Sequence, residues 1–318
     1  MFSYCPKKII ESAYSSDKVS GYTHNFYKYP ARFPPHFAEE IIKSFTKSND
    51  LVIDPFMGGG TTLIEANALG RRAIGTDISS LATFVSKVKT TIYSESEFLI
   101  IRNWLSQIQP SLNLHNEVDR PWSWINKGYQ RNLNSKETWP IRKLLELFIS
   151  EISTLNDIKL EKLARCLLLR TAQWAIDSRR RLPTVKEFKD QVFKFFYEFS
   201  EGALKFKDAV EENNNFLEHS SDYRVRCINT SSEEINNFIK EPPKLILTSP
   251  PYPGVHVLYH RWQVHGRKET PAPFWIANCK DGYGESYYTM GGRTDSGVTQ
   301  GRTEDIEQDV PLYELSNK

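Results

Sequence analysis

Apolar positions along the first ninety residues switch between two spacings. Phe37, Ile41, Ile42 and Phe45 recur at helical intervals behind Pro34 and Pro35, which suit a first helical turn. Leu51 to Ile53 form a short apolar run that predicts a buried strand, and three glycines follow as a turn. TTLIEANAL then reads as a helix that Gly70 can end. RRAIGTDI predicts a second strand and SSLATFVSKVKT a second helix. Strand, helix, strand and helix in so short a span predict a parallel α/β sheet.

The pattern changes at about residue 95. SEFLIIRNWLSQI, PIRKLLELFISEI, LEKLARCLLLRTAQWAI and VKEFKDQVFKFFYEFSEGALKF are long, amphipathic and helical. They predict a large helical insertion over 95–218, between an N-terminal half at 1–94 and a second half at 219–280. Strand character returns in YRVRCIN (223–229) and KLILTSP (244–250). The segment 281–318 is rich in Gly, Ser, Thr, Asp and Tyr without periodicity, and predicts a loop-rich tail.

Composition narrows the picture only a little. The chain has 318 residues, 39% of them hydrophobic, enough for a sizeable core. A formal net charge of +2 does not by itself point to nucleic acid. Cys5, Cys166, Cys227 and Cys279 lie far apart and predict free thiols in a reducing compartment. The N-terminus lacks the apolar stretch of a signal peptide, and no run reaches the length of a membrane span, so a cytoplasmic protein is expected. His24, His256, His260 and His265 have no metal-ligand spacing, so no metal is expected.

Two loops carry candidate chemistry. In DPFMGGGTT, between a strand and a helix, Gly58, Gly59 and Gly60 permit positive φ and close approach of the backbone to a ligand. Asp77 ends the second strand, where an acid can accept hydrogen bonds from ribose hydroxyls. The turn lacks the Gly-Lys-Ser/Thr of a triphosphate loop and a strict GxGxxG. Its bland alternative is a structural turn beside a solvated aspartate. In LILTSPPYPG an apolar run stops at Thr248-Ser249 and gives way to a proline-rich loop bearing Tyr252. Prolines preset the direction of their carbonyls. The alternative there is a rigid surface turn.

Taken with YKYPARFPP upstream, these stretches resemble the amino-methylating DNA methyltransferases. DPFMGGGTT resembles their S-adenosylmethionine motif, and TSPPYPG their catalytic (D/N/S)PP(Y/F) motif. The resemblance covers residues 20–90 and 222 to about 280. It implies a doubly wound, Rossmann-like sheet and S-adenosylmethionine as cofactor. It also implies that Ser249 and the Pro250 carbonyl accept from the target amine, that Pro251 stiffens the loop, and that Tyr252 stacks on a flipped base. Asp54, Phe56, Gly58, Gly60, Thr61 and Asp77 are the implied cofactor contacts, with Tyr29 and Arg32 reaching the methionine end or the glycine turn, or else forming a helix-entry staple, and Asn229 near the adenine ring, or else forming a local turn.

The implied partner is DNA. Arg261, Arg267 and Lys268 suit phosphates, and Trp262 and Trp275 suit stacking, within a segment (255–275) whose alternative is a solvated loop with core aromatics. Ser178-Arg179-Arg180-Arg181 is a possible phosphate clamp, or a solvated corner. By the same resemblance, serine at position 249 implies cytosine N4 before adenine N6. RNA amino-methylation and a catalytically silent DNA- or partner-binding subunit are the rivals. The family's sheet continues past its catalytic strand, and no convincing strand follows Tyr252. The expectation is therefore half of a split enzyme, or a shortened one, with residues 244–250 as an open edge completed by a second polypeptide or a second copy.

Overall fold

In the computed structural model, residues 6–14, 20–30, 32, 34–213, 224–250, 261–266 and 268–279 are described. The expectations for residues 281–318, for Pro251 and Tyr252 and for Arg267 lie outside them.

The first half folds as its spacing predicts. Helix α1 (Pro6–Tyr14) and helix α2 (Pro35–Phe45) precede strand β1 (Leu51–Asp54), helix α3 (Thr61–Ala68), strand β2 (Arg72–Asp77) and helix α4 (Ser80–Thr90). Proline stands in the first turn of α2 and the Ser79 hydroxyl caps α4. Phe45, which shares the helical spacing of Phe37, Ile41 and Ile42, is the last residue of α2 and is 41% exposed.

Strand β3 (Val225–Asn229) and strand β4 (Leu245–Ile246) complete a parallel sheet in the order β3-β2-β1-β4. Alternate residues face opposite ways. Val52 and Ala73 pack with α2 and α3 on one side, while Leu51, Ile53 and Ile74 pack with Ile235 on the other. Strand β4 is shorter than the predicted 244–250. After Leu247 donates its N–H to Ile53, the Thr248 hydroxyl turns to the Asp54 carboxylate and Pro250 follows without a donor.

The helical segment forms α5 (Glu95–Ile108), α6 (Trp122–Asn126), α7 (Trp139–Ile152), α8 (Ile158–Ile176) and α9 (Val185–Glu212). Capping boxes at Ser94/Glu97 and Thr184/Glu187 start α5 and α9.

Segment 255–275 departs from a solvated loop wherever it is described. Strand β5 (Trp262–Val264) pairs antiparallel with strand β6 (Lys268–Thr270) through a turn in which His265 and Gly266 have positive φ, and helix α10 (Ala272–Ala277) follows. The hairpin does not extend the parallel sheet. Trp262, Val264 and Ala272, Phe274, Trp275, Ile276 and Ala277 of α10 instead enter one apolar core with α4, α5, α7, α8 and α9. The signal was present in the sequence. Trp262 and Val264 alternate with Gln263 ahead of a glycine turn, as a half-buried hairpin requires.

Candidate active site

The parallel order places a switch point between β1 and β4. The chain winds outward from β1 through β2 to β3 and returns on the other side of β1 as β4, so the connections at the carboxyl ends of β1 and β4 diverge. In open α/β sheets such a crevice is where ligands bind. The residues leaving β1 and β4 meet there. Asp54 Oδ1 accepts from the Thr248 hydroxyl (2.6 Å) and from the Phe56 N–H (3.2 Å), and the Thr62 hydroxyl donates to the Leu247 carbonyl (3.1 Å). Burial raises the Asp54 carboxyl to about 6, against these hydrogen bonds and despite them. Ser249 and Pro250 follow Thr248 directly.

The turn between β1 and α3 is tight. The Gly60 N–H donates to the Met57 carbonyl (2.7 Å), and the Met57 N–H to Thr76 on β2 (3.0 Å). Gly60 has φ 78°, a left-handed value that side chains disfavour. A Cβ on Gly59 would sit 2.7 Å from Cβ of Tyr29, whose buried ring lies along the turn. Thr61 opens α3 and is itself buried.

Asp77 closes the turn from the second strand. Its Oδ2 accepts from the Gly58 N–H (3.0 Å) and its Oδ1 from the Ser79 N–H (2.8 Å), while burial raises the carboxyl to about 6. A carboxylate offers about four lone-pair sites, so two backbone donors leave acceptors for a diol. Asn229, expected against a ring, donates its amide to the carbonyls of Asp77 (2.9 Å) and Ile78 (3.0 Å) and so fixes this corner. Phe56 is 37% exposed and Ile78 55% exposed, two apolar side chains following β1 and β2. Sequence reading missed Ile78; an apolar residue directly after a strand-ending acid was its only signal.

Beneath the turn lies a polar cluster that the sequence did not announce. Lys89 is fully buried and donates to the carbonyls of Gly59 (3.1 Å) and Tyr27 (3.3 Å), and burial holds its ammonium well below the usual lysine range. His24 Nε2 faces Glu65 Oε1 at 2.6 Å. Burial lowers the imidazole and raises the carboxyl, so it favours the uncharged form of each. Arg32 donates to the His24 carbonyl (3.1 Å), and burial followed by the Arg170 charge lowers it to about 10.

Residues 6–83 match the family model for DNA methylase. The match covers the N-terminal part of the chain, which is similar to DNA methylases. Among curated proteins it is similar to Type II methyltransferase M.MjaII of Methanocaldococcus jannaschii, 30% identical over 158 residues, which are 45% of this chain and 30% of that protein. It is 42% identical over 72 residues to Type II methyltransferase M.MvaI of Kocuria varians, covering 22% of this chain and 16% of that protein. With Type II methyltransferase M2.LlaDCHI of Lactococcus lactis subsp. cremoris it shares 48% identity over 50 residues, 16% of this chain and 19% of that protein. The chain thus spans less than a third of the length of these relatives. No solved structure matches it.

The site's residues fit the methyl donor that a DNA methylase would use. The turn leaves no room for side chains at Gly59 and Gly60, Asp77 keeps free acceptor positions, and Phe56 and Ile78 offer apolar surface beside them. The expected nucleic-acid contacts are arranged otherwise. Trp262 is 1% exposed with its indole N–H on the Tyr27 hydroxyl (3.1 Å), and Trp275 is 2% exposed. Neither ring offers a face to a strand of DNA, which corrects the expectation for both. Arg261 is paired with Glu269 at 2.8 Å, whereas Lys268 is exposed. Among the described residues no cluster of His, Cys, Asp and Glu could hold a metal, and no helix is long and apolar enough to cross a membrane.

Proposed function

We propose that this chain carries the donor-binding and catalytic residues of an S-adenosylmethionine-dependent DNA methyltransferase that modifies an exocyclic amine, cytosine N4 before adenine N6. The observation that carries this reading is the link from Thr248 to Asp54, which ties the TSPPY loop to the glycine-turn strand. Bound S-adenosylmethionine supplies an electrophilic methyl group.

The chain's own residues do the rest. Asp77 accepts from the ribose, and Phe56 and Ile78 flank the adenine. The amine of a base is a weak nucleophile because its lone pair is delocalised into the ring. Ser249 and the Pro250 carbonyl accept its N–H groups and so localise that lone pair. Tyr252 supplies a stacking face, worth about 1–3 kcal/mol per base. A Type II restriction–modification setting is supported by the names of the relatives.

Incubation with labelled donor and DNA or RNA, followed by nucleoside analysis, tests the reading. N4-methylcytosine is expected; label in RNA alone would overturn it. Ser249→Ala and Tyr252→Ala should slow transfer while donor affinity stays near wild type.

A second feature supports a split enzyme with a Rossmann-like sheet completed in trans. Among the described residues β4 pairs only with β1, and Ile246 on it is apolar and 59% exposed. Further strands from a second polypeptide would cover it. Light scattering and activity of the chain alone test this. A fully active monomer overturns it, and activity restored by a co-expressed partner supports it.

A further inference from the structure

A cavity of about 370 Å³ opens between the Tyr27–Pro30 segment, the end of α8 and the start of β5. Tyr29 forms part of its wall, and the same ring packs against Gly58 and Gly59, so the cavity lies one side chain away from the glycine turn. Lys28, Arg170, Arg179 and Arg261 line it, against the single acid Asp177. Arg261 is paired with Glu269. The other three basic side chains make no ion pair among the described residues.

Each of the three is held in place by something other than a carboxylate. Arg170 is 8% exposed, donates to the Asn25 carbonyl (3.2 Å) and lies 4.2 Å from the Phe195 ring centre. The Gln173 amide brackets residue 28, accepting from its N–H (3.1 Å) and donating to its carbonyl (2.9 Å). Arg179 lies over Trp174, 4.2 Å from the ring centre. It is aimed by a strained corner. Ser178 has φ 57° and donates its N–H to Gln263 (2.8 Å), while the Gln263 N–H donates to Asp177 (3.0 Å). The neighbouring charge of Arg170 pushes the Lys28 ammonium below its usual range, against the weaker pull of Asp177 and Glu198.

Among the described residues Arg170 makes no direct ion pair, the acid acting on it being Glu198, and a nearly buried guanidinium so placed is favoured by an arriving anion. We propose that this cavity binds a backbone phosphate of the DNA strand beside the target base, with Lys28 and Arg179 as its contacts and Arg170 as the buried charge behind them. The proposal rests on the DNA methyltransferase reading. It places strand binding at the corner after α8, beside the start of β5.

The experiment measures affinity of the full chain for a fluorescent DNA duplex over a salt series, with S-adenosylhomocysteine affinity by calorimetry alongside. Lys28→Ala and Arg179→Ala should each weaken DNA binding and lower the slope of log affinity against log salt by about one unit. Both should keep wild-type affinity for S-adenosylhomocysteine, which also reports that they fold. Arg180→Ala, exposed on the same corner but outside the cavity, should keep the wild-type slope. Unchanged slopes in the two cavity variants overturn the site alone. An equal drop in Arg180→Ala reduces it to surface charge and overturns it. Loss of S-adenosylhomocysteine affinity would assign the cavity to the donor's carboxylate instead. A wild-type chain that binds S-adenosylhomocysteine but no duplex overturns the DNA reading and this site together.

Discussion

The glycine turn and the β5–β6 hairpin both carry residue types that suggest ligand contact, and they end in opposite environments. At the turn, backbone groups gather around Asp77, and Phe56 and Ile78 remain exposed. At the hairpin, Trp262 sinks into the helical core and bonds Tyr27, a residue 235 positions earlier. Turn geometry comes from neighbours in the sequence, because adjacent glycines and a strand end dictate it. Burial of an indole comes from residues far away in the chain, which composition cannot show.

Mutations can break or sharpen this contrast. Trp262→Ala should have the largest effect, a loss of about 3–5 kcal/mol of stability from a buried ring, read as a lower denaturant midpoint. A stable variant with weakened DNA binding would instead restore Trp262 as a contact. Asp77→Ala should weaken S-adenosylmethionine and S-adenosylhomocysteine alike by about 1.5–3 kcal/mol, the worth of hydrogen bonds to a charged group. The same residue predicts a pH effect. Its folded pKa is raised to about 6, so below that pH the carboxyl is protonated and loses the charge that strengthens its hydrogen bonds to a diol. Wild-type donor affinity should therefore fall as pH drops through about 6, and Asp77→Asn should show no such step.

Gly59→Ala should cost about 1–3 kcal/mol by overpacking, since its Cβ would meet Tyr29 at 2.7 Å. Donor affinity should fall with it; a variant with wild-type calorimetry would mean that the turn yields freely. Ile78→Ala should have the smallest effect. The side chain is 55% exposed, so thermal stability should hardly change, while donor binding weakens by about 1 kcal/mol of lost apolar contact. An unchanged affinity would remove Ile78 from the site.

The sequence by itself determined the elements around the sheet and the place of the site. Val52 and Ile53, TTLIEANAL and RRAIGTDI have local periodicities strong enough to specify strand, helix and strand, and Asp54, Gly58 and Asp77 follow from where those elements end. The four long helices over 95–212 were equally legible from their apolar spacing, whereas the five-residue α6 was not read. Only the tertiary structure decided what those helices cover. It brought Lys89 under Gly59, set His24 against Glu65, and packed the Trp262 hairpin and α10 into the helical core. It also gathered Lys28, Arg170 and Arg179 around one cavity. The physical reason is range: hydrogen bonds within a turn or helix are set by near neighbours, whereas burial and charge crowding depend on which distant segments share a wall.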